Sequence, residues 1–83
     1  MKECTINPNN IEDLYKKIGK NVKKYREEAK MTQLDLALSI GHKAVGTIST
    51  AEIYHNKKHF NIEHLAKIAN VLGKDIRDFL EYN

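Results

Sequence analysis

Apolar side chains at Ile11, Leu14, Tyr15, Ile18, Val22, Tyr25 and Ala29 step by three and four positions, the spacing of a single stripe on a helix. Asn10 stands at the expected cap, with Asp13 three residues on. The opposite face carries Lys16, Lys20, Lys23, Lys24 and Lys30. A solvated surface accounts for these lysines, and phosphate contact by some of them is the sharper alternative. A second, shorter stripe of Leu36, Ala37 and Ile40 follows Thr32 and Asp35, which have capping spacing, and stops at Gly41, a residue suited to a left-handed helix end. Ile48, Ala51 and Tyr54 predict a third helix with the hydroxyls of Thr47, Ser49 and Thr50 outward, fading in the polar run H-N-K-K-H-F-N over 55–61. Asn61 opens a fourth, with Ile62, Leu65, Ala66, Ile68, Ala69 and Leu72 inward and Gly73 as its stop. Asp75, with Asp78 three residues on, opens a short fifth that carries Ile76, Phe79 and Leu80.

Nothing alternates with period two, and the single proline is at position 8. The pattern therefore predicts an all-α chain of five helices, with a flexible N-terminal segment over 1–10 and one helical domain over 11–83. A chain of 83 residues cannot divide its apolar side chains between two cores and stabilise either. At 41% hydrophobic and 30% charged the composition is that of an ordinary soluble domain. No apolar run has the length of a membrane span, and M-K-E-C-T-I-N-P-N-N lacks the apolar core of a signal peptide, so a cytoplasmic location is expected. Cys4 is the only cysteine and has no internal partner, which leaves the fold to packing alone.

Charge sharpens this picture mainly through its distribution. The net charge is +3, which leans towards a polyanionic partner. Residues 1–31 hold eight Lys or Arg against five acids, 32–60 three against two, and 61–83 three against four. Any anion-binding face should avoid the C-terminal end.

The segments I-G-K-N-V-K-K-Y-R-E-E-A-K-M-T-Q (18–33), D-L-A-L-S-I-G (35–41), T-I-S-T-A-E (47–52) and N-I-E-H-L-A-K-I-A-N-V-L-G (61–73) together resemble the Cro and phage-repressor type of helix-turn-helix domain, also called the xenobiotic-response-element family. The resemblance spans roughly residues 11–81 and implies a five-helix lambda-repressor-like fold that binds double-stranded DNA. Its third helix enters the major groove while the second crosses the backbone. On this reading Ala37, Gly41 and Ile48 build the scaffold without touching DNA. Thr32 and Gln33, at the start of the second helix, correspond to phosphate contacts, and Asn56, Lys57 and Lys58 take the place of a basic loop that meets the backbone. Arg26 and Glu52 match a salt bridge between the first and third helices.

Two loops are longer than the family pattern: one extra residue lies between Gly41 and Ile48, and about two between Glu52 and Asn61. The first insertion leaves the leading base-reading position open among Lys43, Ala44, Val45, Gly46 and Thr47; a later one falls on Thr50. The third helix has no Arg, Gln or Asn to make bidentate base contacts. Affinity is therefore expected mostly from phosphates, with selection through Lys43, Thr47, Thr50 and DNA shape.

His42, His55, His59 and His64 lack the spacing of a zinc site, and no nucleophile-and-base set stands out, so neither an enzyme, a metal nor a cofactor is expected. Without a second domain no small-molecule effector pocket is expected either. A homodimer spanning two half-sites is the expected assembly, with Ile76, Phe79, Leu80 and Tyr82 as candidate dimer face. The resulting expectation is a transcriptional regulator of the repressor or restriction-modification controller type. The rival is a protein-binding module, such as an antitoxin or a regulatory subunit, built on the same fold.

Overall fold

A computed structural model describes residues 11–81. The expectations for the segment 1–10, including the Asn10 cap and Cys4, and for Tyr82 lie outside the described residues. The elements are α1 (Ile11–Glu28), α2 (Gln33–Ser39), α3 (Gly46–Glu52) and α4 (Ile62–Leu72), with short 3-10 helices at His55–Lys57 and Ile76–Leu80. Among the described residues there is no strand.

Local chemistry sets the helix ends. Thr32 Oγ1 accepts from the Asp35 N–H at 3.0 Å while Asp35 Oδ2 accepts from the Thr32 N–H at 2.9 Å, a closed capping box that starts α2. Asn61 and His64 make the same reciprocal pair on α4, with the imidazole Nδ1 in place of the usual carboxylate. At the end of α2 the His42 N–H reaches the Ala37 carbonyl at 2.9 Å and the Gly41 N–H reaches Leu38 at 3.1 Å. This double closure needs a left-handed residue, which Gly41 supplies at φ +89°.

The expected fifth helix is a 3-10 helix, because five residues behind the Asp75–Asp78 box close on tighter bonds such as Asp78 N–H to Asp75 O at 2.9 Å. Two stripes are also narrower than expected. α1 ends before Ala29, which is exposed, and the chain reverses at Lys30 with φ +59°. In α4 the inward face is Leu65, Ile68, Ala69 and Leu72; Ile62 and Ala66, four apart on the next face, are exposed, Ile62 by 73%.

Ile18, Val22, Leu36, Ala37, Ile40, Ile48, Ala51, Phe60, Leu65, Ile68, Ala69 and Phe79 form one buried cluster. Phe60 joins it from the run that read as polar loop, and anchors the chain between α3 and α4. Two α1 residues outside the apolar pattern fix how other elements sit on that helix. A Cβ on Gly19 would lie 2.5 Å from the Glu52 carbonyl oxygen and 2.6 Å from that of Ala51, so only glycine lets the end of α3 rest on α1. Asn21 is buried and donates to the carbonyls of Phe79 at 2.8 Å and Glu81 at 2.9 Å, which ties the terminal 3-10 helix to α1.

Candidate nucleic-acid interface

α3 starts at Gly46, with Val45 at its cap in helical conformation and no side-chain cap bond. Of the five positions left open by the longer turn, Lys43 and Ala44 therefore precede the helix, Val45 caps it, and Gly46 and Thr47 are its first two residues. Lys43, Val45 and Gly46 are exposed, Thr47 and Thr50 half-buried. Thr47, Thr50 and Ile53 follow one another at spacings of three and so share a helix face.

The face is chemically plain. Thr50 Oγ1 donates to the Gly46 carbonyl at 2.7 Å, which spends its hydrogen inside the helix and leaves a methyl and an acceptor for a base edge. Ser49 points its hydroxyl at the same carbonyl at 3.3 Å. No hydrogen bond within the described residues engages the Thr47 side chain, and Ile53 is 66% exposed where a reader could stand.

Beneath this face, a buried polar lock holds α3. Arg26 Nε meets Glu52 Oε2 at 2.7 Å and Nη2 meets Oε1 at 3.1 Å, while Nη1 donates to the Met31 carbonyl at 2.8 Å. Both side chains are almost wholly out of solvent. The hydrogen bonds to Glu52 hold the Arg26 guanidinium charged, above its ordinary range, against the opposing effect of burial. Gln33 joins the lock: its Nε2 donates to Glu52 Oε1 at 3.0 Å. One of its two amide N–H donors thus ties α2 to the end of α3.

Thr32 caps α2 as its spacing from Asp35 predicts: its hydroxyl accepts the Asp35 N–H, and the Asp35 carboxylate stands at the same helix end. Hydrogen bonding to its carboxylate from the Thr32 backbone N–H, then from the Thr32 hydroxyl, holds the exposed Asp35 below the usual carboxylate range.

The loop after α3 carries Asn56, Lys57 and Lys58, all exposed. Tyr54, Asn56 and Lys57 take positive φ, 56°, 52° and 61°, a tight reversal with no glycine in it. The reversal brings Lys58 beside α3, where it lines a hollow with Gly46, Thr47, Thr50 and His64. His64, at the start of α4, packs its ring 5.2 Å from that of His42 in the turn before α3. Burial, then His42, push the His64 imidazole below the ordinary histidine range, with smaller effects from Lys67 and His59 in the same direction and Glu63 opposing. Sequence spacing carried no signal for this pair, 22 positions apart, whereas Ile53 was readable as the next outward residue after Thr50.

The candidate dimer face is divided by burial. Phe79 is 0% exposed and closes the core, so it is not part of any outer face. Ile76 is half-buried, and Leu80 is 44% exposed. These two line an apolar groove with Ile11, Leu14, Tyr15 and Ile62, which explains where the misassigned Ile62 points.

No helix among the described residues is long and apolar enough to cross a membrane, and no group of three metal-ligating side chains occurs among them. A search of curated proteins returns no match. The family described as Helix-turn-helix matches residues 22–79, from the middle of α1 through Phe79, and so includes the Arg26–Glu52 lock, α2, α3 and the loop lysines. That span is most of the chain, and the protein belongs to the Cro/C1-type helix-turn-helix family, a membership that supports DNA binding by a helix-turn-helix regulator.

Proposed function

We propose that the protein is a homodimeric, sequence-selective transcriptional regulator of double-stranded DNA, of the repressor or restriction-modification controller kind. It works inside the cell, without cofactor or small-molecule effector and without a catalytic role. α3 lies in the major groove, and α2 crosses the backbone beside it. The observation that carries this reading is the buried Arg26–Glu52–Gln33 lock, which fixes both helices at a set angle while Thr47 and Thr50 stay outward.

Base selection falls to Lys43, Val45, Thr47 and Thr50. Lys43 is the long donor, Val45 and the threonine methyls offer apolar contact to thymine, and Thr47 has the free hydroxyl. Gly46 admits close approach of the backbone. The second Gln33 N–H, Asn56, Lys57 and Lys58 take phosphates, and phosphate contacts as a class supply most of the affinity. A second copy seated on the groove around Ile76 and Leu80 would set two α3 helices for half-sites one helical turn apart.

The rival reading, a protein-binding module, draws support from the same apolar groove and from the plain α3. Equilibrium binding to duplex carrying the protein's own upstream region, over a salt series, separates the two. A DNA regulator loses affinity linearly in log–log form as salt rises. No binding even at low salt would end the regulator reading.

A further inference from the structure

Lys16, Lys20 and Lys23 lie on one face of α1 and line a shallow hollow together with Glu52 and Ile53. Glu52 is the only carboxylate in that lining, and Arg26 and Gln33 already engage both of its oxygens. The hollow therefore presents three cations around an exposed isoleucine. Among the described residues Lys20 and Lys23 form no ion pair, and Lys16 stands 6.0 Å from the centre of the Tyr54 ring. By contrast, two of the three cations near the C-terminal end are paired, Lys67 with Glu63 at 2.8 Å and Arg77 with Asp75 at 3.0 Å, and the third, Lys74, stands 4.5 Å from the centre of the Tyr25 ring.

The position of the hollow decides what it fits. Ile53 continues the outward face of Thr47 and Thr50, so the lysines begin where that face ends, around Glu52, whose carboxylate accepts from Gln33. Lys58 flanks the same helix through the separate hollow at Gly46, Thr47 and Thr50. Cations thus stand on two sides of α3. Its seven residues span about 10 Å, close to the width of a major groove of about 12 Å. From Lys16 to Lys23 the helix rises about 10 Å, about three steps of about 3.4 Å axial rise along one strand, so the three lysines lie within the reach of about four successive phosphates.

We infer that Lys16, Lys20 and Lys23 form a second phosphate-binding ridge, which grips the duplex backbone beyond the end of α3 and without regard to sequence, while Ile53 packs against the sugars between. The inference rests on the DNA-binding reading above. It assigns to α1 a large share of the affinity that the plain recognition helix does not supply.

The test is the salt dependence of binding to a mixed-sequence duplex of about three helical turns, followed by fluorescence anisotropy between about 50 and 200 mM salt. The triple variant K16Q/K20Q/K23Q is compared with wild type and with K16R/K20R/K23R, which keeps the charge; circular dichroism and urea midpoints establish that all three fold. The expected result is a log–log slope shallower by about 2 to 3 in the glutamine variant, with an equal fold-loss of affinity on every duplex tried, and an unchanged slope in the arginine variant. If wild type binds and the folded glutamine variant keeps the wild-type slope, the ridge assignment is overturned and an acidic protein surface becomes its occupant. If wild type itself fails to bind, it is the regulator reading that falls.

Discussion

Arg26 and Glu52 meet across 26 positions of sequence through two hydrogen bonds, and the same carboxylate holds Gln33. One acidic group thus ties α1, α2 and the end of α3 together. Removing either charge leaves the other buried and unpaired, whereas replacing both by apolar groups of similar volume does not. R26M and E52L alone are each expected to lose about 3 kcal/mol in urea unfolding, and R26M/E52L to recover most of it. DNA affinity should stay reduced in the double variant, because Gln33 has lost its anchor. A double variant that binds like wild type would separate the lock from the orientation of α2.

Gly19 makes the closest approach between α1 and α3. The carbonyls that its Cβ would strike belong to backbone at the end of α3, which cannot rotate away as a side chain can. Gly19→Ala is therefore expected to cost about 2 kcal/mol or more despite the better helix propensity of alanine. It should also weaken DNA binding beyond what the stability loss explains, since relief of the clash requires α3 to shift. A variant as stable as wild type would show that the contact is looser than described.

Legibility followed the range of the interaction. Helices α1 to α4 were readable because stripes and caps are local: Thr32 with Asp35, and Asn61 three residues before His64, mark their own helix starts. The lock was readable only through family resemblance, since nothing in the spacing of Arg26 and Glu52 points one at the other. Gly19 and Asn21 gave no signal, because each matters through a carbonyl of a distant element. Phe60 was hidden by its polar neighbours, and Ile62 misled because an apolar residue at a helix start fits more than one face. Around the candidate interface the start of α2 was legible from Thr32 and Asp35, whereas the start of α3 at Gly46 was not, because Val45 has no capping side-chain bond.

On the proposed reading, Gly46 is a base-facing position without a side chain. It is the first residue of α3 and exposed, and a Cβ there meets nothing within 4 Å. Its φ is not positive, so other residues fit without strain. G46Q should add a forked donor and acceptor at the leading edge of the helix, worth about 1 to 3 kcal/mol of discrimination at one base pair. Binding-site selection with both proteins checks this: the variant should return one newly sharpened position, while its affinity for mixed-sequence duplex stays the same. An unaltered selection profile would mean that position 46 does not face the bases.

His64 makes stability depend on pH through the cap of α4. Its Nδ1 accepts the Asn61 N–H at 3.3 Å and therefore must be unprotonated, while burial and the nearby His42 ring lower its proton affinity below that of an unfolded histidine. The groups that face it are His42 from the turn before α3, His59 from the loop, and Glu63 and Lys67 from its own helix, with Lys58 lining the adjoining hollow; only Glu63 favours the proton. With the folded value lowered, the unfolded chain binds more protons as pH drops below about 6.5. Stability is thus full above that pH and falls as pH descends through the folded value. Glutamine at this position of a capping box can still reach the Asn61 N–H but does not titrate. Urea unfolding of wild type and His64→Gln from about pH 7.5 to 5 should give curves that diverge below about 6.5, with the variant losing less. Parallel curves would place the acid sensitivity outside the α4 cap.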